Sequence, residues 1–416
     1  MKQDKNRYDL IVVGAGPSGM IASIVASRKG KRVLLLEKLS KVGTKLKATG
    51  GGRCNLTNTL HKEDFMEKFG KDGRFLSSVL ERFDASDLIT FFKEIGVETH
   101  APDGFRIFPK THQAQSIVQA LHHTLIKEGV TILCQQSAQT LLISEHQRIQ
   151  GIKTQSDTFF ADAVIIATGG KGYPQFGTQG DGYQLAKEVG HTISEPYPAM
   201  MPLKVEESWV EACRADTLPK VTIKVDLKKY RKLTATGDLI FTKDGIRGPV
   251  VLDFSREITP LLEKYERVPI LIHFTKGMNE ESIRQTFKEK LQKNPHLSTL
   301  ELLSTLIPSS LARVLCQLAN IDPHLHLQKQ KGLFRDRLYQ LLVWTPLHVI
   351  GHDGFKMAMV TRGGISLKEI EPHTMQSRKV HSLYFCGEVV NIDGPCGGYN
   401  LQWAFSSGYV AGSLSS

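Results

Sequence analysis

Several features are scarce in this sequence, and each scarcity excludes something. No uninterrupted apolar run approaches the ~20 residues of a membrane-spanning helix, so no membrane role is expected. The opening stretch, MKQDKNRYDL, has no apolar h-region, so a secretory leader is not expected either. Cysteine is sparse, with six residues at positions 54, 134, 213, 316, 386 and 396. That scatter makes no disulfide framework and fits a reducing cytoplasm. No CxxC lies near a nucleotide-type motif, which argues against a dithiol–disulfide reductase. No second GxGxxG opens another βαβ unit, so no separate NAD(P)H domain is expected, and no metal site is expected.

What is present describes a soluble globular protein, 41% hydrophobic and 23% charged, with length for two or three domains. The formal charge of +11 raises three readings: a nucleic-acid partner, a membrane surface, or recruitment of an anionic cofactor and substrate. The basic residues are spread out. The group Lys228-Lys229-Tyr230-Arg231-Lys232 is short and falls in a predicted hairpin, so a solvated basic surface outweighs a polyanion site. Nothing in the sequence specifies an oligomeric state.

The organising stretch is Tyr8 to Glu37, YDLIVVGAGPSGMIASIVASRKGKRVLLLE. An apolar run ends in Gly14, Gly16 and Gly19, a helix of small residues follows, and a second apolar run ends in Glu37. This is the order of a dinucleotide-binding βαβ unit. Gly14 allows the tight turn, Gly16 lets backbone approach a pyrophosphate, and Gly19 lets helix pack on strand. The helix N-terminus attracts phosphate, and Glu37 can accept hydrogen bonds from a ribose diol. An ordinary glycine-rich turn would leave the position of the acid unexplained. Ala15, Pro17 and Ser18 complete the fingerprint's cofactor-facing set, and Lys38, Lys45 and Thr49 extend it into the next segment.

Residues 41–58, KVGTKLKATGGGRCNLTN, fit neither a helical nor a strand period. The loop carries Gly50, Gly51 and Gly52, then Arg53, Cys54 and Asn55. Its glycines let backbone approach a flat ring or phosphate, and Arg53 and Asn55 supply directed donors. A flexible surface loop is the competing reading. Further on, Val164 to Ile166 reads as a buried strand feeding Ala167, Thr168, Gly169 and Gly170, as at the carboxyl edge of a parallel sheet. Near the C-terminus, Leu383 to Cys386 is a strand followed by Gly387-Glu388, an Asp393-Gly394 turn, and Gly397-Gly398. A small-residue helix then starts near Tyr399-Asn400-Leu401, where N-terminal amides could stabilise charge on a reduced ring.

Between these units, residues 72–96 read as helical and 97–109 as a hairpin turning at Pro102-Asp103-Gly104. Residues 113–127 read as a helix, and the stretch to Phe160 as a small meander. Val221–Val225, Leu239–Thr242, Val250-Val251 and Ile270–Phe274 read as strands of an antiparallel β domain, and Thr361 to Gly364 as a loop. The predicted fold is α/β: a discontinuous Rossmann-like domain (1–193 and 360–416) with an inserted antiparallel β-barrel (194–276, strands returning at 344–359) and a small helical insert (277–343).

Taken together, GAGPSG, Glu37, GGGRCNLTN, ATGG, VTRGG, TMQSR and CGEVVNIDGPCGGYNLQWAFSSG resemble one group almost throughout the chain. It is the bacterial aminoacetone-oxidase-like FAD-binding flavoproteins, NAD(P)/FAD-dependent oxidoreductases that include bile-acid dehydroxylation reductases. The GRCN and GGYNLQ segments are its specific parts. The resemblance implies tightly held, non-covalent FAD. On that pattern Gly14, Gly16, Ser18 and Gly19 hold the pyrophosphate and Glu37 the adenosine ribose. Arg53, Cys54 and Asn55 lie by the flavin, while Asp393, Asn400 and Leu401 meet the ribityl chain and the pyrimidine edge. Phe105-Arg106 departs from the family's Gly-Arg.

The expected reaction is hydride transfer between the flavin and a small organic substrate, an amine or a conjugated carbonyl, held between the FAD and inserted domains. Oxygen or NAD(P)H, the latter as a transient donor, is the redox partner. No general base stands out. His348, His352 and His373 lie in or near the returning segment, but a lone histidine is more often structural. Cys54 and Cys396 share glycine-rich cofactor loops and are candidates against a reading as small packed residues. Another class is a flavoprotein whose basic surface and helical insert recognise RNA, as in tRNA modification, or serve regulation. Scattered charge and the lack of a basic-aromatic stripe weigh against it. A purely structural FAD is a third.

Overall fold

The computed structural model describes residues 6–414; residues 1–5, on which the reading of the N-terminus partly rests, and 415–416 lie outside the described part. The chain divides into two compact units, Met1–Pro198 with Met359–Ser416, and Ala199–Ala358. The segments 194–276, 277–343 and 344–359 fall in the second unit apart from their outermost residues.

The first unit is built on a seven-stranded sheet. The strand Arg7–Val13 lies at its centre, parallel to Val33–Glu37 on one side and to Thr158–Ile166 on the other, with Val12 facing Leu35 and Ile165 in register. Arg7–Val13 from Leu10 onward and Val33–Glu37 are buried on both faces, which is why they read as unbroken apolar runs rather than alternating ones. Thr131–Cys134 extends the sheet beyond Val33–Glu37. Two stretches read separately, 157–160 and 164–166, are one strand, Thr158–Ile166. Its first half pairs antiparallel with Ile149–Thr154, and its last three residues pair parallel with Leu383–Phe385. The end of the chain thus returns to the sheet beside the strand that carries Ala167 and Thr168.

The fingerprint helix Pro17–Arg28 is buried from Ser18 to Ala26. Its small residues admit the C-terminal helix Tyr399–Gly412 at close range. A Cβ on Gly408 would come within 2.3 Å of the Ser18 carbonyl oxygen, and one on Gly412 within 2.3 Å of that of Ala22. Side chains there would force the two helices apart.

Three local readings are corrected. Residues 72–96 form two helices, Gly73–Leu80 and Ala85–Glu94, because Asp84 caps the second: its carboxylate accepts from the Ser86 and Asp87 N–H groups, while Asp87 reaches back to Asp84. Thr361 to Gly364 belongs to a strand, Val360–Ile365, paired with Ile193–Ala199. Val250-Val251 opens a helix, Pro249–Tyr265. Pro249 stands at its first turn, and Val250, Val251, Phe254, Ile258, Leu261 and Leu262 are buried at helical spacing, which outweighs the strand preference of two valines.

In the second unit six antiparallel strands close a barrel in the order Leu203–Val205, Gly245–Arg247, Thr234–Phe241, Thr217–Val225, Val268–His273 and Thr345–Gly351. Val221, Ile223 and Val225 alternate inward with Ile270 and Ile272 beside them, the period-two pattern that the sequence carries. The helices Glu280–Lys293, Thr299–Ser304, Ser309–Leu318 and Gly332–Val343 share one apolar core with the barrel. Among the described residues no helix is long and apolar enough to cross a membrane.

Candidate functional site

The site begins where Arg7–Val13 ends. Gly14 has φ +102, and a Cβ there would lie 2.6 Å from the Ala167 carbonyl oxygen. A Cβ on Gly19 would fall 1.9 Å from the Gly14 carbonyl oxygen. Both positions therefore exclude any side chain. Gly16 differs: a Cβ there would meet nothing within 4 Å, so the fingerprint loop opens onto space at the residue that starts the helix. Pro17 occupies the first helical turn, and no side chain caps it. Glu37 is half-buried. Its carboxylate accepts from the Ala15 N–H at 3.0 Å and the Leu39 N–H at 2.9 Å. A carboxylate has about four acceptor positions, so two bonds leave capacity for a ribose diol. Thr168 lies against Gly14 through its Cα, while its Oγ1, buried without a partner, faces Gly182, where a Cβ would lie at 2.1 Å. An open helix N-terminus and a carboxylate with spare acceptors at one loop fit the adenosine and pyrophosphate part of FAD.

The second half of the site is assembled from distant loops. Gly50, Gly51 and Gly52 all have positive φ, and so does Cys54 at +61. With its amide oriented to satisfy its neighbours, Asn55 donates to the Thr57 and Ile107 carbonyls at 2.9 and 3.2 Å and accepts from the Gly398 N–H at 2.9 Å. Asn58 Nδ2 donates to the Gly397 carbonyl at 2.9 Å. Two asparagines of the 50–58 loop thus hold the start of the helix Tyr399–Gly412. Asn400 closes the same turn from within: its Oδ1 accepts from the Gly394 N–H and its Nδ2 donates to the Gly394 carbonyl, both at 2.8 Å. Half-buried Asp393 precedes that turn. The structure brings together the two motifs that the sequence marked as specific, and it gives Asn55 and Asn400 the work of building the loops.

A third group joins the halves. Glu388 accepts from Lys45 Nζ at 2.7 Å and, through its other oxygen, from the Thr361 N–H at 2.8 Å. Thr361 Oγ1 accepts from the Lys171 and Gly172 N–H groups at 2.8 and 3.1 Å. Gly170 is pressed on the same hydroxyl, where a Cβ would lie at 2.4 Å. Gly169 has φ +73, and Gly387, at φ +75, faces Ser18 Oγ, 2.5 Å from where its Cβ would be. Thr361 was missed as a site residue because its segment reads as a loop, although VTRGG marks it. Lys38 turns instead toward Gln179 and Asp181, and Thr49 Oγ1 donates to the Leu46 carbonyl.

Some candidates are placed where they contribute packing. The Tyr399 ring is buried between Phe65 and Phe69, with centroids 4.9 and 6.0 Å away. Leu401 packs against the main core. Arg53 is exposed, its guanidinium over the Phe108 ring at 5.3 Å. Cys54 is fully buried, and burial pushes its thiol up to about 12, so it holds no thiolate near neutral pH. Cys396 is half-buried. His348 lies on a barrel strand of the second unit, its Nδ1 2.7 Å from Glu207. His373 Nε2 is 3.4 Å from Ser78 Oγ. Phe105, the departure from the family pattern, sets its ring 3.4 Å from where a Cβ on Gly397 would be, so its effect reaches the cofactor loop.

A family model described as "HI0933-like protein Rossmann domain" matches residues 8–414. The chain is 33% identical over 406 residues to the 3-dehydro-bile acid delta(4,6)-reductase of Clostridium scindens, an alignment covering 96% of this chain and 97% of that one. It is 30% identical over 404 residues to the ribosomal RNA dihydrouridine synthase of Escherichia coli, covering 97% of each. Among solved structures, 3-ketosteroid delta1-dehydrogenase from Sterolibacterium denitrificans matches with a TM-score of 0.56 at 13% identity, over 98% of this chain and 99% of that one, a likeness of fold.

Proposed function

The chain belongs to the HI0933-like Rossmann-domain family and is an FAD-dependent oxidoreductase, and we propose that it reduces a carbon–carbon double bond conjugated to a carbonyl group. NAD(P)H is the proposed electron donor. When bound, FAD supplies a centre that takes up two electrons and passes them on as hydride.

One observation carries the redox part of this reading: the helix Tyr399–Gly412 starts with no side-chain cap at Gly398, on a turn clamped by Asn55 and Asn58. Its positive dipole end is thereby fixed in place and does not need to reorganise as negative charge develops. Arg53 adds a cation on the same loop. The Lys45–Glu388 pair ties the segment after the ribose strand to the turn after Leu383–Phe385, which holds the two halves of the cofactor site in register.

The substrate class is supported by the activities of two full-length relatives. A delta(4,6)-reductase saturates ring double bonds of a 3-dehydro bile acid. A dihydrouridine synthase saturates the 5,6 double bond of uracil, which is conjugated to a carbonyl. In a double bond conjugated to a carbonyl, hydride adds to the carbon remote from the carbonyl and a proton to the adjacent one, because the negative charge is then shared with the carbonyl oxygen.

Anaerobic stopped-flow tests this. NADH or NADPH is expected to bleach the yellow flavin, and a conjugated enone mixed with the reduced enzyme is expected to restore the colour and appear saturated by mass spectrometry. Bleaching by small amines, with no reoxidation by enones, would overturn the reading.

A further inference from the structure

The short basic group 228–232 looks unremarkable along the chain, and the fold changes its surroundings. Lys228–Tyr230 is a single helical turn between two barrel strands, Thr217–Val225 and Thr234–Phe241. The last turn of the helix Pro249–Tyr265 lies against it. The Tyr230 and Tyr265 rings meet edge to face, with centroids 6.2 Å apart at 78°. Lys229 lies over the Tyr230 ring at 5.8 Å and Lys264 over the Tyr265 ring at 5.1 Å. The Lys264 ammonium, with Tyr230 and Lys229 nearby, holds the Tyr265 phenol below the usual phenol range. Two sequence-distant segments therefore make one surface in which cations alternate with aromatic rings.

That surface carries unneutralised charge. Lys228, Lys229, Arg231, Lys232 and Lys264 are exposed. None of the first four forms an ion pair among the described residues, whereas elsewhere in this unit Arg267 pairs with Glu206, Arg284 with Glu280 and Asp336, and Lys204 with Asp353. Asp226, Glu263 and Glu266 flank the patch and are outnumbered by its cations. Like charges crowded on one turn repel each other, and a polyanion relieves that repulsion while releasing its own counterions. Tyr265 is 37% exposed, so part of its ring is available to a stacking partner. Splayed bases stack on such rings, whereas the bases of a duplex are already stacked. An anionic membrane would favour an apolar flank that enters lipid; the rings here are phenols, held edge to face beside lysines.

We infer that this patch, Lys228–Lys232 with Lys264 and Tyr265, is a docking surface for RNA with unpaired bases. The inference does not depend on which double bond the flavin reduces. Failure of RNA binding would leave the redox reading standing, and failure of flavin reduction would leave the binding surface standing.

The test is fluorescence anisotropy of the full FAD-loaded chain with a labelled RNA hairpin carrying an unpaired loop, at about 50 and about 200 mM salt. The wild type is expected to bind and to weaken steeply with salt. Lys228→Glu with Lys229→Glu is expected to weaken binding about tenfold or more and to flatten the salt slope by about two contacts. Tyr230→Ala with Tyr265→Ala is expected to weaken binding about tenfold while keeping the slope. Flavin content and unfolding temperature identify any variant that has lost its fold, and Lys232→Glu then replaces it. Absence of binding at the lower salt overturns the inference. So do wild-type affinity in both double variants, preference for fully paired DNA of equal length, and binding to phosphatidylserine vesicles without binding to the hairpin.

Discussion

At Gly14 and Gly19 the neighbouring atoms are backbone, so no side-chain rotamer can make room, and each position is closed to substitution by geometry. Glu37 illustrates a different economy, because the carboxylate that orders the fingerprint loop through Ala15 also keeps acceptors for a ribose. The thiols divide by burial. Cys54 and Cys386 are fully buried and pushed up to about 12, whereas Cys134 and Cys396 are half-buried. Brief labelling of the folded holoprotein with iodoacetamide, read by peptide mass spectrometry, is therefore expected to modify Cys134 or Cys396 and to spare Cys54 and Cys386. Replacing Cys54 with Ala should leave the bleaching rate within about twofold, since a buried neutral thiol acts here as a small apolar group. A hundredfold loss of bleaching with FAD still bound would restore its candidacy as a catalytic residue.

Among elements, the decisive one is the start of the helix Tyr399–Gly412. Its small-residue face sets how closely it approaches Pro17–Arg28, and Asn55 sets where it begins. Asn55→Ala removes three hydrogen bonds and strands the Gly398 N–H, a loss of about 1–3 kcal/mol. The expected outcome is FAD affinity reduced about tenfold to a hundredfold in equilibrium titration of the apoprotein, with far-ultraviolet circular dichroism unchanged. Unaltered affinity would show that the clamp does not shape the cofactor site.

A second element-scale device is pH-sensitive. His191 follows the helix Asp181–Glu188 and is buried, its Nε2 2.8 Å from Ser377 Oγ and its Nδ1 3.2 Å from Glu369. Burial lowers its pKa from 6.5, against the opposing pull of Glu369. Below about 6.5 the unfolded chain binds a proton that the folded chain still refuses, so stability is full above that pH and falls as pH drops toward the lower folded value. Urea midpoints are expected to decline below about pH 6.5, and His191→Gln is expected to make the decline shallower. A variant with the wild-type slope would assign the acid sensitivity to other groups.

On the scale of the whole molecule, the two units have separate cores, and both groups of candidate cofactor residues lie in the first. FAD binds the folded form, so a thousandfold excess over its dissociation constant stabilises the unit that holds it by about 4 kcal/mol. Stripping FAD is expected to lower the unfolding temperature of the first unit while the barrel unit keeps its own, turning one calorimetric transition into two. Equal shifts in both would mean that the units unfold as one.

Much of this architecture is legible without coordinates. The fingerprint strand, its helix and Glu37 follow from strictly local demands: a turn that tolerates no Cβ, a strand buried on both faces, an acid at its end. The barrel strands at Val221–Val225 and Ile270–Phe274 show their period of two. The local readings fail where a neighbour overrides preference. Val250-Val251 has strand preference, and Pro249 with a buried face makes it helical. Residues 72–96 keep one apolar period across the break imposed by the Asp84 cap.

The sequence by itself determined that a dinucleotide fingerprint opens the chain and that a glycine-rich cofactor segment closes it, because those features depend on residues within a few positions of one another. Only the tertiary structure decided that Asn55 meets Gly398, that Thr361 braces Glu388, and that Tyr265 reaches Tyr230. Each of these contacts joins residues tens to hundreds of positions apart, and their approach depends on how sheet, helices and barrel close rather than on any local preference.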